Sequence, residues 1–501
     1  MKKPTVSLNF ISNLAVILAN IAISFYLTPR LLSHLGSGGF GMWMLATSVM
    51  GYFGVLRLGI GTGVVKYVST YLGAGDREAV DRTVSTALFS YTLISVVVAA
   101  AIVVLAGPLS RFYDAGPEFA VLLRLMGLAV AMQYPEILIG SVIKAHENFV
   151  LPNAIVLLNS LVRFAVLVLL MHLGFGLAVL GFSVIVSNLA GLAAGYVALA
   201  RSYPHLRLSP RLFSYPELKL LLAFGVFVLV GQLATVLITR SPQLIIGKLI
   251  SLEAVGLFGI GMALMNYYLS GIGALRRLYL PRFSSMAGSS RMGELAGAFM
   301  RGSRHVAILS ALVGSWLLLF GGAFLRLWFG ENADPELIRI LPVLTAGTML
   351  AASSSSSGEL LYGIGRQRMR ALVEVTEGAA VVGLTLWLST AYGLPGAALG
   401  TALPLFLVGG VLLPVLASRA AGVRPLIYFA RTVMKPTILA AVLVAAGRAF
   451  NLAGHADSWL ALAVLTLAYL AVFAGSAFLL LLEHRERGRV YRTVGRLIRA
   501  T

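Results

Sequence analysis

The chain has 501 residues, of which 58% are hydrophobic and 12% charged, and it contains no cysteine. A soluble protein carries about 25% charged residues, and half that share cannot cover a soluble body of this size. Mean hydropathy of +0.90 agrees, so the chain reads as an all-α polytopic membrane protein, without disulfides, thiolate metal sites or a cysteine nucleophile.

A membrane-crossing helix needs about 20 mostly apolar residues. Such stretches occur at 10–32, 39–60, 84–106, 119–143, 152–172, 176–199, 217–239, 252–275, 303–325, 337–361, 371–391, 395–418, 436–453 and 458–482, giving 14 spans. The thirteenth is the shortest. The first is not expected to be a cleavable signal peptide, because Asn9, Asn13 and Asn20 interrupt it and Pro29-Arg30 closes it. With the N-terminus inside, 29 Lys and Arg fall in inner segments and 6 in outer loops. That asymmetry predicts that both termini are cytoplasmic. It also accounts for the net charge of +20, so nucleic acid is not expected as a partner. Beyond Glu483 a basic tail carries Val490, Val494, Leu497 and Ile498 at helical spacing. It suits a short helix on anionic lipid, or a solvated tail that only fixes topology.

The chain echoes itself. Gly41, Tyr52 and Phe53 lie 215 positions before Gly256, Tyr267 and Tyr268, and Gly174-FGLAVL-Gly181 lies 219 positions before Gly393-LPGAAL-Gly400. Concordant offsets divide the chain into an N-lobe of spans 1–6 (1–200), a C-lobe of spans 7–12 (201–420), two extra helices (421–482) and the tail (483–501). Two six-helix lobes around a central cavity are a usual transporter architecture.

Three runs, LTPRLLSHLGSGGFGMWML (27–45), YFGVLRLGIGTGVVKYVS (52–69) and GAGDREAVDRTVSTAL (73–88), together with YGLPGAALGTALP (392–404), carry a family resemblance. The chain resembles the polysaccharide-export branch, the O-antigen flippases, of the multidrug/oligosaccharidyl-lipid/polysaccharide exporter superfamily, over nearly its whole length. The resemblance implies a bacterial inner-membrane protein that flips undecaprenyl-diphosphate-linked oligosaccharide from the cytoplasmic to the periplasmic leaflet. Intramembrane carboxylates lead one to expect H+ or Na+ as coupling ion, and a polysaccharide polymerase and chain-length regulator are candidate partners. In the YFxxLxLGI run the family leads one to expect an acidic residue more often than Arg57.

A lipid diphosphate demands a wet, cationic cavity, and arginine meets that demand with a fork that binds phosphate oxygens bidentately. Arg163 sits near the middle of span 5, where a charge must face the protein interior. Its alternatives to substrate contact are an ion pair with Glu136 or a carbonyl clamp. Arg30 follows Pro29 at the outer end of span 1, Arg57 lies near the inner end of span 2, and Arg124 lies about one turn into span 4. Interfacial snorkelling or topology are the bland readings of these three. Glu374 and Glu377, three apart on one face of span 11, and Glu136 after Pro135 are candidate ion-coupling carboxylates. For Glu374 and Glu377 the alternative is pairing with Arg366–Arg370. Ser353–Ser357 either lines a cavity or permits close helix packing.

No nucleophile–base–acid constellation and no G-x-x-x-x-G-K-[ST] loop is present, so neither an enzyme nor a cofactor is expected. Two rivals remain: a multidrug and toxin extrusion exporter, which calls for an acid-dominated cavity, and a membrane polysaccharide polymerase or ligase, which calls for a large outer loop. With residues near several span ends counted to the loops, four basic residues (Arg30, Arg57, Arg124 and Arg163) stand against four acidic ones (Glu136, Glu359, Glu374 and Glu377) in number.

Overall fold

The computed structural model describes residues 6–288, 292–483 and 486–488, and among them it contains helices and turns but no strand. The helices are, in chain order, α1 (Val6–Val55), α2 (Ile60–Ala74), α3 (Arg77–Phe112), α4 (Gly116–Ala145), α5 (Val150–His172), α6 (Ala178–Ser202), α7 (Tyr215–Leu249), α8 (Leu252–Arg277) and α9 (Leu280–Gly288). They continue with α10 (Met292–Phe329), α11 (Pro335–Ser353), α12 (Ser356–Gly363), α13 (Gln367–Pro404), α14 (Leu413–Ala420), α15 (Pro425–Tyr428), α16 (Met434–Ala449) and α17 (Trp459–Leu480). One π-helix, Leu405–Leu412, joins α13 to α14, and another, Phe429–Val433, joins α15 to α16.

Among the described residues, 12 helical stretches are long and apolar enough to cross a membrane. Two of them are too long for one crossing. Ile11–Val55 has 45 residues and Gln367–Ala420 has 54, about 68 and 81 Å at 1.5 Å per residue, against a hydrocarbon core of about 30 Å. Each is broken at one glycine. Gly36 has φ 69° and Gly393 has φ 60°, the left-handed region that residues with a Cβ avoid. Around Gly393 the chain folds straight back on itself: a Cβ on Gly400 would lie 2.5 Å from the Thr385 Cα, and one on Gly396 would strike the Leu388 carbonyl. Counting both hairpins as two passes brings the total to the 14 read from the sequence. The thirteenth pass runs over Pro425–Ala449, starting earlier than 436 because the π-helix carries the helical path through Arg431 and Lys435.

The repeat read from the sequence reappears in the elements. α10 begins 215 positions after α3, α11 begins 219 after α4, and Gly174, between α5 and α6, shares its positive φ with Gly393, 219 positions on. Local signals set the ends. Asp76 caps α3 by accepting from the Ala79 N–H at 2.9 Å, Asp334 caps α11 through the Glu336 N–H at 2.7 Å, and Ser458 caps α17 through the Ala461 N–H at 3.2 Å.

The chain divides into two compact units, Met1–Gly259 and Ile260–Thr501. In the first, α2, α3 and α4 close over Ile60, Val64, Val84, Tyr91, Tyr134 and Leu138. The two tyrosines are 5.8 Å apart between ring centroids. The Tyr91 hydroxyl accepts from the Gly61 N–H, and the Tyr134 hydroxyl donates to the Phe53 carbonyl, each at 2.8 Å. Buried polar groups in a membrane helix need such partners. In the second unit α16 and α17 pack on α10 around Phe320, Tyr469 and Phe473, and Trp316 donates to Thr466 at 3.0 Å.

Candidate functional site: a polar cavity around Arg163

α1 and α5 are joined by a ladder of side-chain hydrogen bonds. Asn9 accepts from the Phe149 N–H at 3.3 Å, Asn153 donates to Ser12 at 2.9 Å, and Ser160 donates to Asn20 at 2.8 Å. Such bonds hold membrane helices together where the hydrophobic effect does not. They also explain why polar residues interrupt the first span.

At the far end of the ladder the helices open onto a cavity of about 210 Å³. α1 contributes Asn20, Ser24 and Thr28 from its first arm, spaced four apart and so on one face, and Phe40, Trp43 and Met44 from the arm beyond Gly36. α5 contributes Ser160, Arg163, Phe164 and Leu167. The Arg163 guanidinium carbon lies 4.9 Å from the centre of the Trp43 ring, a cation–π contact. Its Nε is buried without a hydrogen-bond partner. Arg163 is the one ionisable side chain among the residues lining this cavity, which therefore presents a positive charge with no carboxylate opposite it. An anion admitted here would meet a guanidinium, hydroxyls and an amide.

Glu136 does not pair with Arg163. It accepts a hydrogen bond from Asn159 at 2.6 Å, one turn below Arg163 on α5, so the ion pair considered from the sequence is not formed. The other three arginines lie elsewhere. Arg30 is exposed and folds back over Tyr26, 3.5 Å from the ring centre, with one N–H on the Tyr26 carbonyl at 3.2 Å. Arg124 is exposed on α4. Arg57 sits in the turn between α1 and α2, where its Nε donates to the Gly54 carbonyl at 2.9 Å. None of the three lines the cavity.

The acidic residues of span 11 separate in the same way. Glu374 is held by Arg370 at 2.7 Å, one turn away. Glu377 is 7% exposed and has no cation against it among the described residues. Its carboxylate faces Gly409, so it looks onto the π-helix Leu405–Leu412, the kind of irregular turn that recurs at functional sites. Elsewhere in the same unit Arg276 pairs with Glu359 at 3.0 Å, and Arg370 lies 4.2 Å over the Tyr362 ring. The serine run mediates packing: Ser356 bonds Ser303 at 2.6 Å, and Ser354 donates to the Gly410 carbonyl at 3.3 Å. Of the basic tail, Glu483 and Glu486–Gly488 are described, and the rest lies outside the described residues.

The sequence reading missed Trp43, Ser160 and the Asn20/Ser24/Thr28 stripe. The stripe's four-residue spacing was the available signal. The pairing of Arg276 with Glu359 had none.

Comparisons with known proteins fit this architecture. The profile of a family described as "Polysaccharide biosynthesis protein" matches residues 28–335. The uncharacterized membrane protein EpsK of Bacillus subtilis (strain 168) is 24% identical over 97% of both chains. A putative O-antigen transporter of Shigella flexneri is 20% identical over 73% of this chain and 86% of its own. Among solved structures, an inward-facing multidrug resistance MATE family transporter of the MOP superfamily has a TM-score of 0.73 at 16% identity, covering 81% of this chain and 98% of that one. The lipid II flippase MurJ, in an inward closed conformation, has a TM-score of 0.69 at 12% identity, covering 94% and 98%.

Proposed function

We propose that this chain, which belongs to the polysaccharide biosynthesis protein family in the polysaccharide-export branch of the multidrug/oligosaccharidyl-lipid/polysaccharide exporter superfamily, flips undecaprenyl-diphosphate-linked oligosaccharide across a bacterial inner membrane. A putative O-antigen transporter among the relatives, and a multidrug transporter and a lipid II flippase among the structural neighbours, support transport rather than catalysis. The observation that carries the substrate class is the cavity around Arg163, cationic and free of carboxylates. A diphosphate loses its hydration on leaving water, at a cost too great to cross hydrocarbon unaided. Arg163 replaces part of that hydration with bidentate N–H donors, and Asn20, Ser24, Thr28 and Ser160 supply further polar contacts. A volume of about 210 Å³ is enough for the phosphate region of such a lipid. Organic cations, the cargo of the multidrug reading, would find like charge here.

Alternating access between the two lobes carries the substrate across, with Glu377 the carboxylate for proton or sodium coupling and Glu374, one turn away, held by Arg370. An even number of passes and the Lys and Arg asymmetry support cytoplasmic termini. Deleting the protein should stop surface polysaccharide and leave lipid-linked repeat units accessible only from the cytoplasmic side. Normal surface polysaccharide in a strain without a second flippase would overturn the proposal.

A further inference from the structure

A second cavity, of about 320 Å³, opens in the unit Ile260–Thr501, where α8 passes into α9 and α10 begins. Tyr279, Arg282, Arg301, His305 and Glu486 give it a charged rim, over a floor that includes Met286 and Leu482. The Tyr279 hydroxyl bonds His305 Nδ1 at 2.9 Å, and His305 Nε2 reaches a Glu486 carboxylate oxygen at 3.1 Å. The other Glu486 oxygen takes an N–H from Arg304 at 2.8 Å, and Arg304 also holds Glu483 at 2.7 Å. Arg282 and Arg301 are exposed and have no hydrogen-bond or ion-pair partner among the described residues.

The chain thus places two carboxylates, Glu483 and Glu486, on Arg304, with Glu486 also reaching His305, while Arg282 and Arg301 remain unmatched. Both carboxylates arrive on a short segment after α17. Arg487 anchors that segment by donating to the Leu479 carbonyl at 2.5 Å and the Leu482 carbonyl at 3.1 Å, groups left open at the end of a helix. An anion with more oxygens than a carboxylate would satisfy the rim more fully, because guanidinium forks pair best with phosphate or carboxylate oxygens. The apolar floor beneath suits a group attached to a hydrocarbon chain.

We infer that the cavity between α9, the start of α10 and the segment after α17 is a phosphate-binding site, taking the phosphate group of an anionic lipid, with Glu486 as a built-in competitor for the same cations. Arg282 and Arg301 reach the phosphate from the rim. Glu486 covers Arg304 and His305 until the phosphate displaces it. The site shares no residue with the Arg163 cavity, so its test is independent of the substrate proposed above.

The test is thermal unfolding of the purified full-length protein in detergent, titrated with phosphatidylglycerol, phosphatidylcholine or inorganic phosphate. Phosphatidylglycerol should raise the melting temperature at lower concentration than phosphatidylcholine. Glu486→Gln should lower the phosphatidylglycerol concentration needed by at least about threefold, since it removes the carboxylate that competes for Arg304. Arg282→Ala/Arg301→Ala, both exposed and tolerant of change, should raise it by at least as much. Stabilisation by inorganic phosphate matching that by phosphatidylglycerol, and lost in the double variant, would assign the site to free phosphate. An unchanged preference for phosphatidylglycerol in the double variant would overturn the site, as would a titration unmoved by Glu486→Gln.

Discussion

Replacing Arg163 by methionine should make the protein more stable and far less active. An unbranched apolar stem is kept and the charge removed. A guanidinium at mid-membrane costs about 2.5–3.5 kcal/mol on insertion scales. The contact with Trp43 returns about 2 kcal/mol when desolvated, and no carboxylate returns the rest. Removing the charge should therefore stabilise the folded protein by about 1 kcal/mol. Transport should move the other way. Two charge-assisted hydrogen bonds to phosphate, at about 1.5–3 kcal/mol each, amount to about 10²–10⁴-fold in substrate affinity. Arg163→Lys keeps the charge and one bond, so it should lose about 10–100-fold. The assay pairs thermal unfolding with flipping of a lipid-linked oligosaccharide in proteoliposomes, at equal protein levels. A lower melting temperature in Arg163→Met would mean that Arg163 holds the fold together. Wild-type flipping in the same variant would remove it from the substrate path.

Coupling should depend on Glu377 more than on Glu374. Glu377→Gln should slow gradient-driven transport in proteoliposomes while leaving substrate binding intact, and Glu374→Gln should cost only its pair with Arg370, about 0.5 kcal/mol of stability; equal transport rates for Glu377→Gln and wild type would exclude the first. The segment after α17 should respond to acid. Burial pushes the Glu486 carboxyl up, but the Glu483 N–H and the Arg304 guanidinium outweigh it and hold the carboxyl below its ordinary 4.5. A carboxyl lowered by folding contributes stability that is full above the unfolded value and lost as pH falls through the folded one. Hydrogen-exchange protection factors at Leu482 and over 486–488, corrected for the intrinsic pH dependence of exchange, should accordingly be high at pH 6 and fall below about pH 4.5, and Glu486→Gln should remove that dependence; an identical profile in the variant would assign the response to another group.

The passes were legible in the sequence because each needs a long apolar run whatever it packs against. The hairpins at Gly36 and Gly393 hid no pass, since the apolar runs on either side were counted separately. Arg163 stood out because depth alone makes a charge conspicuous in a membrane. Which way a side chain points was much less legible. A helix apolar all round shows no face by periodicity, so Arg30 and Arg124, exposed in the structure, stayed candidates behind Arg163. The partner of Arg163 was equally hidden. Glu136 was the obvious counter-charge, yet Asn159 took it, and Trp43, 120 positions earlier in the chain, lies over the guanidinium. The pairing of Arg304 with Glu486 spans 182 positions and only packing of α17 on α10 creates it.

The single-residue corners bear on how the protein is made. One glycine leaves no length of chain to wait outside the bilayer while the next segment is synthesised. The arms on either side of Gly36 must enter the membrane together as a helical hairpin, and so must those flanking Gly393. Neither arm can then invert without its mate. The orientation of four passes is tied to two insertion events, and a misread charge in one arm is corrected by the other. A tag or a bulky residue placed at either corner would show itself as a failure of biogenesis before any question of transport arose.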